Sequence, residues 1–287
     1  MKSREGMPGV RKAFAVATTV AMMGGFLSGG IALAQPAGTG DAAAGSGAGQ
    51  GMSLTLGAGA GIAPDYEGSD DYEAVPFWNL RAGNLYHPET YVQVLGPRLT
   101  SNFLPHDHWR LGVAGQFIKE RDDVEDDRVD ELRSVDASAM LGLIAGYDFL
   151  ATPQSDLAIE VEGRQDVAGD NGFLGTIRGR YGSLFAQRWR LDTLVETTWA
   201  SEDYMSSYFG IGAGDAARSG LDEFDADEGF KNVTFGASLT YRFLDRWSAT
   251  GLGTFSRLLG DAEDSPLVED RGDENQFFAG ALVSYRF

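Results

Sequence analysis

The chain has 287 residues, with 42 acidic and 23 basic side chains, three histidines and no cysteine. The absent cysteine excludes a disulfide framework, a thiolate metal site and a thiol nucleophile. A formal charge of −19 argues against nucleic acid as a partner, since phosphates are met by Lys and Arg. A mean hydropathy of −0.20 excludes a multi-span helical membrane protein.

The first 34 residues read as a targeting segment. Lys2, Arg4, Arg11 and Lys12 form a basic start, Ala13–Leu33 is apolar and uncharged, and Ala32-Leu33-Ala34 supplies a small-x-small cleavage site. Gln35–Gly51 is almost wholly Gly, Ala, Ser, Pro and Thr, the composition of a flexible linker. Cleavage after Ala34 would leave 41 acids and 19 bases, a net of −22.

From residue 52 onward the hydrophobic period is two. In 156–166, Leu157, Ile159 and Val161 alternate with Glu160, Glu162 and Arg164. In 172–182, Phe173, Ile177 and Tyr181 alternate with Arg178 and Arg180; in 188–200, Trp189, Leu191, Val195 and Trp199 alternate with Arg190, Asp192 and Glu196. The last segment sets Phe277, Ala279, Ala281, Val283, Tyr285 and Phe287 on one face. Such alternation predicts strands with one apolar and one polar side. An all-β, transmembrane antiparallel barrel suits it better than a soluble one for three reasons. The segments run about 10 to 15 residues, the length of a tilted bilayer crossing. Aromatics fall at strand ends, as in Trp109/Phe117, Trp189/Trp199 and Trp247/Phe255. The polar faces hold too many charges for a soluble core, whereas a wet or mutually paired lumen takes them.

Twelve strands are expected, near 52–62, 73–82, 89–95, 98–104, 107–118, 134–149, 156–167, 172–183, 188–200, 230–243, 247–258 and 275–287. The stretch 83–106 leaves ten as the alternative. Turns at 150–155, 184–187 and 244–246 are short, and 63–72, 119–133, 201–229 and 259–274 are long and acidic. That parity puts the first and last strand ends of the barrel chain in the periplasm and the long loops outside. The four long loops carry 27 acids and 6 bases, nearly the whole net charge. They read as a solvated surface, or as a surface on which divalent cations bridge to lipopolysaccharide.

Few residues suggest chemistry. His87, His106 and His108 fall at short turns, and His106-Asp107-His108 could hold a metal or act as a base, though no third ligand is apparent. A G-x-S-x-G elbow is absent. Glu160, Glu162, Arg178, Arg180, Arg190 and Glu196 share the inner face and read as an ion-pair ladder rather than a catalytic acid pair. Neither catalytic residues, nor a metal, nor a cofactor are expected. Inward Phe278, Leu282 and Leu194 suggest a partly plugged lumen.

Five stretches resemble the MipA/OmpV family of outer-membrane proteins: Gly59–Tyr72, Leu99–Pro105, Tyr204–Gly220, Leu258–Val268 and the closing Ser284-Tyr285-Arg286-Phe287. The resemblance implies a non-enzymatic role: a scaffold joining a lytic transglycosylase to a penicillin-binding synthase, with the outer membrane and its lipopolysaccharide as surroundings. It also makes Phe287, Tyr285 and Val283 look like a recognition signal for the barrel assembly machinery. Because murein enzymes are periplasmic, contact with them would use the short turns, the Gln35–Gly51 tail or the lower rim. A narrow channel for small polar solutes and a surface adhesin are the alternatives to the scaffold.

Overall fold

The computed structural model describes residues 51–287. The expected signal peptide, and the linker up to its last residue, lie outside the described residues. The rest forms a closed twelve-stranded antiparallel barrel in which every strand pairs with its sequence neighbours and β1 closes on β12. The strands are β1 (Ser53–Pro64), β2 (Tyr72–Gly83), β3 (Tyr91–Leu95), β4 (Arg98–Asn102), β5 (Trp109–Ile118), β6 (Ser138–Ala151), β7 (Ser155–Asp166), β8 (Phe173–Phe185), β9 (Trp189–Ala200), β10 (Gly229–Arg242), β11 (Trp247–Leu258) and β12 (Asn275–Arg286).

Alternation decides which side chain meets which medium. Leu143, Val161 and Phe235 are 65%, 55% and 54% exposed on the outer face. Their inward neighbours, such as Arg164, Glu162 and Thr234, are buried. A continuous band of exposed Leu, Val, Ile and Phe around the wall would be unstable against water and suits lipid. Aromatic contacts mark both rims. At the short-turn end Trp109 meets Tyr147, Trp189 stacks on Tyr241, and Trp247 meets Tyr285, with centroids 4.8, 4.4 and 4.9 Å apart. At the other end Phe173 faces Trp199 and Phe255 faces Phe277.

The stretch that left ten or twelve strands open resolves into two short ones. β3 and β4 have five residues each and turn at Gly96-Pro97, with Gly96 in the left-handed region at φ 53°. β3 pairs with Asn79–Gly83 alone, so the upper half of β2 runs on without it. The last ladder bond there is Gly96 N–H to Trp78 O at 2.8 Å. Pro76, which has no N–H to offer, sits in this half, paired with β1 but without a partner on the β3 side, where a proline does least harm. Lys119 spans the notch, with its Nζ 3.1 Å from Glu73 Oε1 and 3.4 Å from Asp65 Oδ1.

β1 shows why its glycines alternate. Gly57, Gly59 and Gly61 face inward against β12. A Cβ on Gly59 would lie 2.6 Å from Leu282 Cβ and 2.1 Å from Ala281 O, so only glycine admits Leu282 into the lumen at this point.

Five short helices occupy the long connections: α1 (Asp127–Asp130), α2 (Glu202–Tyr208), α3 (Ala213–Ser219), α4 (Asp261–Asp264) and α5 (Pro266–Glu269). They bring the long loops together over one mouth of the barrel. The main apolar cluster of the molecule lies there, with Tyr204, Phe209, Ile211, Leu258, Ala262, Leu267 and Val268 all 1% exposed or less.

Candidate functional site

The lumen is divided into two arcs. Strands β4–β9 carry the charges. Glu160 on β7 is the hub: Arg178 Nη1 reaches its Oε2 at 3.3 Å, while Arg180 Nε and Arg110 Nη1 reach its Oε1 at 3.0 and 3.3 Å. Arg178 Nε also donates to Glu196 Oε2 at 2.6 Å. Glu162 is held by Arg98 and by Arg164, whose Nε lies 2.7 Å from its Oε1. Nearer the short-turn end Arg110 binds Asp148 with both prongs of its fork, at 2.7 and 2.6 Å. Arg190 lies 2.5 Å from Asp156 and 2.7 Å from Asp192. All these side chains are at most a tenth exposed. Six arginines thus meet six carboxylates, so the arc is close to neutral. Buried charges persist when they are paired and hydrogen-bonded like this.

The members named from the sequence are brought together in this lattice. Glu160, Glu162, Arg178, Arg180 and Glu196 form one connected group, and Arg190 stands apart with Asp156 and Asp192. Sequence reasoning set Arg164 on the polar face without joining it to the ladder, and missed Arg98 and Arg110. Arg98 on β4 reaches Glu162 on β7 across the interior, 64 residues away, and adjacent-strand reasoning does not anticipate such a crossing. Alternation within 98–102 and 109–118 did carry the signal, because both arginines occupy inward positions there.

The opposite arc, β10–β12 with β1–β3, is apolar in the middle. Phe77, Phe278, Leu252 and Leu282 are 2%, 3%, 8% and 6% exposed and cluster with Ala63, Val75 and Leu95. Phe77 and Phe278 meet edge-on at 5.9 Å. Leu194 on β9 is also buried.

Above the lattice sits the helical cap. Its centre is polar: Glu67 accepts from Tyr204 Oη at 3.1 Å and pairs with Lys231, which also lies 5.5 Å from the Tyr204 ring centroid. Glu67 and Lys231 are 4% and 1% exposed. Burial, with the neighbouring Glu67 charge, raises the Tyr204 phenol well above its ordinary range. Burial likewise lowers the Arg121 guanidinium to about 10, against the opposing pull of Tyr66. Arg121 Nη1 donates to Tyr208 O at 2.8 Å, tying the 119–137 loop to α2. Gly68 adopts φ 101°, and a Cβ on it would stand 2.5 Å from Val268 Cγ2. Ser265 Oγ donates to Phe209 O at 2.7 Å. Asp126 caps α1, accepting from Arg128 N and Val129 N at 2.9 and 3.0 Å.

The three histidines are turn residues. His106 Nδ1 accepts from the backbone N–H of His108 and Trp109 at 3.0 and 3.1 Å. His108 Nδ1 lies 2.8 Å from Asp148 O, and His87 Nδ1 accepts from Glu89 N at 3.3 Å. Among the described residues no three His, Asp or Glu converge as a metal site. Val283, Tyr285 and Phe287 lie on the outer face at the short-turn end, with Tyr285 and Phe287 edge to face at 4.8 Å.

A closed, lipid-banded antiparallel barrel with one long-loop end and one short-turn end defines an outer-membrane protein. A family model described as MltA-interacting protein MipA matches residues 56–287, and the chain belongs to that family. Its relatives include outer membrane protein Omp26La of Vibrio anguillarum, 33% identical over 31% of this chain and 33% of that protein. MltA-interacting protein of Escherichia coli is 32% identical over 26% of this chain and 30% of that protein. These matches span about a third of the relatives' length. Among solved structures, the NanC porin aligns at TM-score 0.42 and 10% identity, over 81% of this chain and 98% of that one. An outer-membrane channel from Pseudomonas putida F1 aligns at 0.43 and 13%, over 84% and 97%. The protein is located in the outer membrane, and the long-loop end is accordingly the external one.

Three of the five stretches that carried the family resemblance converge in this cap. Gly59–Tyr72 supplies Tyr66, Glu67 and Gly68, Tyr204–Gly220 supplies α2 and α3, and Leu258–Val268 supplies α4 and the start of α5.

Proposed function

We propose that this barrel is a non-enzymatic scaffold of the outer membrane, whose periplasmic rim docks a murein-degrading lytic transglycosylase and a penicillin-binding synthase. The observation that carries the reading is closure. The external mouth is covered by a packed helical cap, and half of the lumen is cross-linked by ion pairs, so the surface left for partners is the rim. The family description, MltA-interacting protein, agrees with a lytic transglycosylase as one partner. The narrow-channel reading has a smaller support: Thr240, Thr250 and Thr254 face inward and are half-exposed.

The test is retention of periplasmic proteins on the folded, immobilised barrel. The β8–β9 turn offers a clean variant, because in its three-residue loop 186–188 both Ala186 and Gln187 adopt left-handed backbone, φ 47° and 62°, which Asn and Gly accept with least strain. Ala186→Asn with Gln187→Gly keeps the turn and changes its side chains. Retention of a lytic transglycosylase that falls at least fivefold in this or another rim-turn variant is the expected result. A folded barrel that holds no cell-wall enzyme, yet conducts ions in planar bilayers, would overturn it in favour of the channel.

The closing strand is proposed to guide assembly. Phe287, Tyr285 and Val283 present an apolar, aromatic row at the edge where β12 must join β1. Tyr285→Asp with Phe287→Asp is expected to leave export intact and to abolish heat-modifiable barrel in the outer membrane. Normal assembly of that variant would refute the signal.

A further inference from the structure

The periplasmic half of the second arc differs in charge from the first. Its inward positions on β10, β11, β12, β1, β2 and β3 include Arg242, Arg286 and Arg81, and no carboxylate side chain. The register makes them near neighbours: Arg81 and Arg286 both pair with Thr55, from opposite sides of β1. Arg242 is level with Ser248, which pairs with Ser284, one inward position above Arg286. Arg242 feels the like charges of Arg286 and Arg188, with Asp245 on the adjoining turn as the acidic neighbour. All three arginines are half-exposed, unlike the buried arginines of the ion-pair lattice. What sets the arc apart is net charge rather than unmet hydrogen bonds, since Arg81 already donates to Gln93 Oε1 at 3.0 Å and lies 4.1 Å from the Tyr91 ring centroid. Between the arginines the lining is hydroxyl: Thr55, Thr240, Ser248 and Thr250. Further up the lining turns apolar, where Phe77, Phe278, Leu252 and Leu282 cluster and are buried.

From this arrangement we infer that the periplasmic half of the lumen is a blind vestibule that binds a small, multiply charged oxyanion, carboxylate or phosphate, on Arg242, Arg286 and Arg81. Three like charges held at one mouth of a low-dielectric wall focus positive potential there. Guanidinium forks match carboxylate and phosphate oxygens in pairs, and the hydroxyls supply further donors. The apolar plug makes the site one of binding rather than passage. This inference does not depend on the scaffold reading, which concerns protein partners on the outer rim.

The test uses the full protein, purified from outer membranes in a neutral detergent. Citrate and pyrophosphate are titrated by calorimetry at low and at raised salt. A parallel arm compares nanodiscs of phosphatidylcholine with and without phosphatidylglycerol, read by competition with pyrophosphate. Saturable binding of either soluble anion, weakened by salt and at least tenfold by Arg242→Gln with Arg286→Gln, is expected; Arg128→Gln, exposed in the external cap, should leave it unchanged. Loss of pyrophosphate binding only in the phosphatidylglycerol discs would assign the site to a lipid headgroup, the same oxyanion chemistry from another source. Should the double variant fail to give a heat-modifiable barrel, Arg242→Lys serves instead, with at least threefold weaker binding expected. No saturable binding by the wild-type barrel, or binding that these substitutions leave intact, overturns the inference.

Discussion

Glu160→Ala is expected to be among the most destabilising single substitutions in the barrel wall. The side chain is buried, and three guanidinium groups, Arg110, Arg178 and Arg180, lie within 3.3 Å of its oxygens. Removing it leaves three cations facing one another in a low-dielectric interior with one fewer compensating charge. Breaking a buried pair by deleting one partner costs ~3–5 kcal/mol, because the remaining charge stays buried. Arg178 retains Glu196 and Arg110 retains Asp148, so part of the charge compensation survives the substitution. The check is the urea midpoint of the barrel in detergent, followed by its heat-modifiable mobility. A Glu160→Ala midpoint within experimental error of the parent would show that the lattice is not what holds the lumen together. Glu160→Gln, which keeps the volume and two hydrogen-bonding atoms, should fall between the two.

Cutting the pair at the centre of the cap is expected to open the cap and spare the barrel. Glu67 joins the β1–β2 loop to Lys231 on β10 and to Tyr204 on α2, so it fastens a loop, a strand and a helix that are distant in sequence. Glu67→Ala leaves the Lys231 ammonium buried, with only the Tyr204 ring beside it. The expected cost is again ~3–5 kcal/mol. Here it is charged to a local opening rather than to global unfolding, because the strands keep their own ladders. Protease added to intact cells should then cleave within 201–228, a segment whose Tyr204, Met205, Phe209 and Ile211 are otherwise 1% exposed or less. Glu67→Met with Lys231→Met removes both charges and should recover most of the protection, as replacing a whole buried pair by apolar side chains often does. Equal sensitivity of the single and double variants would mean that the pair does not hold the cap.

The cap also explains how acidic loops become a compact structure. Four loops that carry most of the net negative charge turn their apolar side chains toward one another and leave the carboxylates at the surface. Several of those carboxylates are structural. Asp126 caps α1 and pairs with Arg271, and Asp65 accepts from Lys119 Nζ and from Glu125 N. Because burial tends to raise the Asp126 carboxyl while Arg271 and the two backbone N–H groups more than offset it, its net position is below the usual carboxylate range. Its contribution is therefore present above the unfolded carboxyl value, about 3.9, and is lost only as pH falls further.

Particular residues show how far the sequence could be read. Leu157, Ile159 and Val161 face lipid and Glu160 and Glu162 face inward, because a pleated strand alternates its side chains whatever the neighbouring strands do. The same rule placed Val283, Tyr285 and Phe287 on the outer face. The helices of the cap were not anticipated. Their apolar residues are spaced at Tyr204, Met205, Tyr208, Phe209 and Ile211, a helical recurrence, but the segment is short and embedded in an acidic loop. A seven-residue helix has too few turns to declare itself by period and forms only where packing supports it.

The sequence by itself determined the inner and outer faces and the side on which the loops are long, and it narrowed the number of strands to twelve or ten. These follow from local alternation and from turn-forming residues, which act over a few positions. Closure determined the rest. The meeting of Arg98 with Glu162 and of Glu67 with Lys231 depends on strand register and on the curvature that brings distant segments face to face. The energy of those contacts is realised only once β12 has joined β1, because a charge in an open sheet remains in water and gains little from a partner across the lumen.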